Sequence, residues 1–295
     1  MVAIGLALLA SLGFGSSAIF ARLGMRQVNP LASTLISAIG SLLVAVPLTM
    51  LSWGAVLALP AAAFLGFLAL GALNFLGGRG QNYLSIYLVG AARSAPFVGA
   101  SALFAAIFAI SLTGERPHGL VLVGTLGVVA GLAASTGDSF RQGWSSDKKS
   151  LLGYAFALGA AACYGASSVM AKHLTGTYGL PFVVAAFSLI FGVLLLAPLG
   201  GYSAVQSVRR ATSRNLAFTA LSGVVGAVGV VSLYLAVTRA DVVIVSPISS
   251  TNPLVTLLMA HLFLERRLER VTRWVFLGTL LAVLGVVLVV VGAAL

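Results

Sequence analysis

The chain is poor in what a water-soluble protein carries on its outside. Only 8% of its 295 residues are charged. Soluble domains carry about 25% charged residues, so this chain could not cover a water-facing surface. Soluble enzymes, nucleic-acid-binding domains and disordered proteins are excluded on that ground. The one cysteine, Cys163, sits inside an apolar run and rules out an intrachain disulfide. Three scattered histidines (His118, His173, His261) and that cysteine make no ligand spacing, so neither metal nor cofactor is expected. The six acidic residues, Glu115, Asp138, Asp147, Asp241, Glu265 and Glu269, fall at the ends of apolar runs or between them. No carboxylate stands at membrane depth to bind a lipophilic cation or relay a proton.

What is abundant is apolar length. Apolar residues make up 60% of the chain, and its mean hydropathy is +1.09. Ten runs approach the ~20 residues that a helix needs to cross a bilayer. They cover 2–21, 31–51, 60–86, 94–113, 119–137, 151–171, 181–200, 215–237, 242–263 and 274–294. The first is longer than the ~7–15 residues of a signal-peptide core and reads as a retained helix. The third is long enough to be tilted, or broken near Gly77-Gly78-Arg79-Gly80. The fold class expected is therefore an all-α integral membrane protein of ten transmembrane helices.

The two halves repeat each other. Phe14-Gly15-Ser16-Ser17 precedes Tyr164-Gly165-Ala166-Ser167 by 150 residues, and Arg22 falls on Lys172 at the same offset. Pro30, Pro47, Phe67, Gly78, Tyr83 and Pro96 fall on Pro181, Pro198, Phe218, Gly229, Tyr234 and Pro247 at 151. Glu115-Arg116 falls on Glu265-Arg266 at 150. The expected organisation is a five-helix repeat at 1–137, a connecting loop at 138–150 and a second five-helix repeat at 151–295. An odd number of helices per repeat inserts the second copy upside down. Such inverted repeats build secondary transporters with a site at the repeat interface.

On these residues the chain resembles the EamA-like ten-helix family of the drug/metabolite transporter superfamily. The resemblance rests on the aromatic-Gly-Ser segments of helices 1 and 6, and on the tyrosines near the ends of helices 3 and 8. The Ser- and Pro-containing starts of helices 4 and 9 add to it, with Thr113-Gly114-Glu115-Arg116 and Leu264-Glu265-Arg266. One departure is Ala102, which stands where the second half has Pro253. The resemblance implies a non-enzymatic carrier of small metabolites, working by alternating access around a central cavity in a prokaryotic cytoplasmic membrane. Without a mid-membrane acid, it disfavours multidrug cation/proton exchange.

Charge placement bears on orientation. Of the 17 basic residues, 13 lie in the odd-numbered connections and three in the even-numbered ones, with Arg79 inside a span. The positive-inside rule puts the odd connections in the cytoplasm and both termini outside. The resemblance implies the reverse, so orientation stays open at this point.

Arg79 is the sharpest candidate for substrate binding. A charge at membrane depth costs about 2.5–3.5 kcal/mol on insertion scales, so it must face a wet cavity or a partner. It either anchors a carboxylate or phosphate, or reaches the interface and caps helix carbonyls. Asn74, Gln81, Asn82 and Ser85 share a helical face with Gly78; they line a cavity or bond to neighbouring helices. Tyr83 and Tyr234 are symmetric scaffold, gate or belt residues. Ser16, Ser17, Tyr164 and Ser168 surround the paired glycines of helices 1 and 6. Ser249 and Asn252 belong to the hydroxyl-rich start of helix 9. Gly78, Pro96, Pro247 and Pro253 are the candidate helix-break or gating positions.

The partners expected are a small anionic or zwitterionic solute, such as an amino acid or organic acid, and membrane lipid, with no nucleic acid. Small-residue faces permit a monomer or a dimer. Competing readings are a flippase for a lipid-linked head group and a non-transporting scaffold. A serine protease is a weak third, because Gly99-Ala100-Ser101 is followed by Ala102 rather than glycine.

Overall fold

The computed structural model describes residues 1–50, 52–135, 148–263 and 273–295. Most of the expected connecting loop lies outside these residues, as do the Glu265-Arg266 pair and Glu269. Apart from one helical turn at Trp53–Val56, the secondary structure runs in helices labelled here in chain order. The first half holds α1 (Val2–Gly24), α2 (Pro30–Met50), α3 (Ala61–Val89), α4 (Arg93–Thr113) and α5 (Gly119–Ser135). The second holds α6 (Lys148–Tyr178), α7 (Pro181–Arg210), α8 (Ser213–Val237), α9 (Val242–Ala260) and α10 (Arg273–Gly292). No strand occurs among the described residues. In lipid, only such elements satisfy every backbone polar group within one segment.

Eight of these helices are long and apolar enough to cross a membrane, and α5 and α10 contain shorter apolar stretches, Gly119–Ala134 and Leu277–Gly292. The protein is an integral, multi-pass membrane protein. Its side-chain distribution inverts that of a soluble domain. Leu43, Leu65, Leu112, Leu194 and Leu199 point outward, whereas alanine and serine fill much of the interior. Lipid tails are as apolar as leucine, so helices gain by close packing of small residues instead. Gly223 packs its Cα directly against the Ser37 carbonyl, where no Cβ fits.

The contacts repeat when the halves are exchanged. α1 packs on α8 and α9, as α6 packs on α3 and α4; α2 meets α7, and α5 meets α10. Helix direction is inverted between them. α4 finishes beside the start of its repeat mate α9, because Glu115 just beyond α4 bonds to the backbone N–H groups of Val242 and Val243.

Three irregularities shape the centre. α3 is continuous where a break was one expectation, but it widens into a π-helix over Ala72–Gly80. Such wide turns are frequent at functional sites. α4 and α9 each relax in mid-span, at Ala100 (ψ −7°) and Ser250 (ψ −1°). The second segment of α9 opens with Asn252 and Pro253, a first-turn position that proline tolerates. α4 relaxes at the matching place without that proline.

Candidate functional site

α1, α3, α4, α6, α8 and α9 enclose a cavity of about 80 Å³ at the interface between the halves. Its charged member is Arg79, which the π-helical stretch of α3 carries into the centre at 6% exposure. The guanidinium donates to Ser41 Oγ at 3.0 Å and lies 5.0 Å from the centre of the Phe75 ring. Ser41 is itself seated between the Ser37 and Gly223 carbonyls, at 3.0 and 2.8 Å. Gly226 leaves room for the other end of the guanidinium, since a Cβ there would stand 3.2 Å from Nη2. Arg79 is thus steadied from α2 and α8, and among the described residues the guanidinium makes one side-chain hydrogen bond, to Ser41.

Of the sequence candidates, Asn74, Asn82, Tyr83, Ser17, Tyr164, Ser168, Ser249 and Asn252 line this cavity with Arg79. Several of them are partly spoken for. Asn74 donates to Tyr234 Oη at 3.1 Å, Tyr83 Oη pairs with Ser222 Oγ at 3.2 Å, and Ser17 donates to the Ser222 carbonyl at 2.7 Å. Ser168 and Ser249 bond back to carbonyls of their own helices, as membrane hydroxyls commonly do.

Gln81, Ser16 and Tyr234 do not line it. Gln81 turns towards α6, where its Nε2 contacts Cys163 Sγ at 3.8 Å and its side chain packs on Gly159. The reason is the π-helix, which shifts the register that an ordinary 3.6-residue period assigns to this face. Ser16 lies beside the lining residue Ser17 and is only half-buried. Tyr234 is fully buried behind Asn74 as a support. Gly78 makes room for the Tyr164 ring, against which a Cβ would clash, and no helix break occurs there. Pro96, Pro247 and Pro253 bracket the relaxed turns of α4 and α9 without touching the cavity.

Lining residues that sequence reasoning did not single out as site members include Ile86, Val98, Val230, Leu233 and Thr256. Most are of types that also fill ordinary helix contacts, so composition gives them no signal. Val230 had one: it is the repeat mate of Arg79 and faces the same space.

The cavity runs from Ala91, just before α4, to Ser101 on α4, and on α3 it reaches Ile86, whose carbonyl accepts from Arg22 Nη1 at 3.2 Å. It therefore extends towards the face carrying the α1–α2 and α3–α4 connections. The opposite face is stitched shut. Lys172 near the end of α6 bonds to Glu115 at 2.8 Å and to Asp241 at the start of α9. Glu115 also accepts from the Val242 and Val243 amides at 3.1 Å each, capping α9 from the other half.

A duplicated helical membrane bundle with a buried polar cavity between its halves is the build of a membrane transporter. The model of the EamA-like transporter family matches residues 1–137 and again residues 151–291, and the chain belongs to that family. It is accordingly a multi-pass membrane transporter of the drug/metabolite transporter superfamily. No curated protein sequence matches it significantly. One solved crystal structure, titled only as that of a protein, is similar at 20% identity with a TM-score of 0.75. The match covers 99% of this chain and 97% of that one, and it supports the fold alone.

Proposed function

We propose that this protein is a secondary transporter, an exporter or exchanger, of a small polar metabolite that is anionic or zwitterionic, such as an amino acid or organic acid. It carries the solute by alternating access, with ten membrane spans as two inverted repeats, in a prokaryotic cytoplasmic membrane. The observation that carries the reading is Arg79: a buried guanidinium whose remaining donors face a cavity sized for a small solute. Guanidinium binds carboxylate or phosphate through two parallel hydrogen bonds, and in a site withdrawn from water that pairing is selective for anions. Phe14, Tyr83 and Tyr164 supply aromatic walls, while Asn82 and the hydroxyls supply polar contacts for the rest of the solute. The lopsided cavity and the ion cluster across its closed end fit one endpoint of an alternating-access cycle.

The test is a thermal-shift screen of detergent-purified protein against anionic, zwitterionic and cationic metabolites, repeated with Arg79→Gln. A ligand at 100 times its Kd stabilises the folded state by about 2.7 kcal/mol. A carboxylate or phosphate compound that raises Tm in the parent and not in a folded Arg79→Gln supports the reading. Stabilisation by cations, or an unchanged response in the variant, overturns it.

A further inference from the structure

The cavity holds one full charge and nothing of opposite sign. Among the described residues the carboxylates are Glu115 and Asp241, and Lys172 engages both at the far end of the bundle. The other acids stand in sequence between apolar runs or at their ends. Val230, the repeat mate of Arg79, lines the same cavity without a charge. Deeper in, towards the closed face, Ser246 lines the cavity at 3% exposure, and its hydroxyl has no hydrogen-bond partner among the described residues. The cavity's own described residues thus leave a cation unbalanced and a hydroxyl unsatisfied, and an anionic acceptor answers both.

We propose that the transported solute is a monovalent organic anion that serves as the counter-ion of Arg79, and that the protein is therefore a one-for-one anion exchanger. This rests on the reading of the cavity as the substrate site. Alternating access passes through an occluded state in which water is withdrawn from the cavity. Loaded, the guanidinium and the carboxylate cross that state as a neutral pair. Empty, the guanidinium is occluded alone, and a buried charge stripped of its partner is far costlier than the pair. The empty carrier therefore reorients slowly, and return requires a second anion. A zwitterion leaves its ammonium facing a cavity with no lining carboxylate, and a dianion leaves one carboxylate unmatched. A monoanion leaves neither, and Ser246 gives it a further donor.

The experiment reconstitutes purified protein into vesicles whose lumen holds either sucrose alone or a monoanion, lactate or benzoate. Uptake of the same labelled anion is followed, with alanine and succinate as zwitterionic and dianionic comparators. The expected result is uptake about tenfold or more faster into preloaded vesicles, since each missing factor of ten corresponds to about 1.4 kcal/mol of barrier. It should be indifferent to a potassium–valinomycin diffusion potential, because a full cycle moves no net charge. Val230→Asp, which supplies the counter-ion from the protein, should lower anion uptake much further than its neutral isostere Val230→Asn does. Equal monoanion uptake into loaded and unloaded vesicles, or uptake that follows the potential, overturns exchange while leaving Arg79 as an anion anchor. Uptake confined to alanine or to succinate overturns the monoanion assignment. Failure of every compound to be taken up, with no thermal shift from any anion, defeats the underlying anionic reading itself.

Discussion

At the scale of single residues, the geometry around Arg79 is set from behind. Its hydrogen bond to Ser41 Oγ fixes one edge of the guanidinium, Phe75 lies under it, and Gly226 yields space for the other edge. A charge on a long side chain has several rotamers, and a binding fork is useful only if one of them is selected. Ser41→Ala removes the selecting acceptor without touching the cavity, which Ser41 does not line. The expected effect is a fall in carboxylate affinity of about fivefold, near 1 kcal/mol, and a lower unliganded Tm, because Arg79 loses an acceptor and the Gly223 carbonyl a donor. Titrated thermal shifts on lactate or benzoate read both quantities. Arg79→Lys keeps the charge but loses the planar fork, and should weaken the same binding by more than Ser41→Ala does. Equal affinity in parent and Arg79→Lys would mean that point charge alone matters there.

At the scale of helices, what was legible in the sequence divides along physical lines. Membrane spans announce themselves by composition, and duplication announces the architecture, so the order and pairing of helices could be read from Phe14-Gly15 against Tyr164-Gly165 and Pro96 against Pro247. Arg79, Asn74 and Asn82 were visible because polar groups are conspicuous in an apolar run. Ile86, Val98 and Leu233 were not, because a cavity wall and a helix contact use the same residue types. Gln81 shares a face with Asn74 in a 3.6-residue pattern, in which a π-helix leaves no mark, and of its two readings the contact with α6 fits bonding to a neighbouring helix. The packing of α5 on α10 depends on the same small-residue logic. Gly131 abuts the backbone of Gly278 and Ala282, and Gly285 abuts Gly124 and Val128. Gly131→Ala pushes a methyl group into backbone that has no rotamer to yield, and should cost roughly 1–3 kcal/mol. Gly5→Ala, where a Cβ meets open space, should leave Tm unchanged. A melting comparison in one detergent distinguishes the two, and equal Tm values would disprove the tight crossing.

At the scale of the whole molecule, one face is held by charges that come from both halves. Glu115 belongs to the first half; Lys172 and Asp241 belong to the second. Glu115 is the keystone, since its side chain is only 7% exposed and it also caps α9, whereas Asp241 is 55% exposed. Exposed ion pairs contribute about 0–1 kcal/mol, so Asp241→Asn should do little. Glu115→Gln and Lys172→Met should loosen the closed face, because each removes one partner of a shielded pair. Loosening is measurable from the cavity. In a Cys163→Ser background, Ser246→Cys places a thiol on the cavity wall, on the closed-face side of the relaxed turn in α9. With no transported anion present, when the carrier reorients slowly, a membrane-impermeant thiol reagent should reach it in oriented vesicles faster from the side bearing the α1–α2 connection. With Lys172→Met added, labelling should occur from both sides, because the closed face no longer excludes the reagent for the whole of the cycle. The same vesicles settle orientation when Arg26→Cys, exposed in the α1–α2 connection, is labelled as the reference. The charge bias places that connection in the cytoplasm. Equally fast labelling of Ser246→Cys from both sides in the Lys172-containing protein, without a transported anion, would show that the ion cluster does not close the cavity.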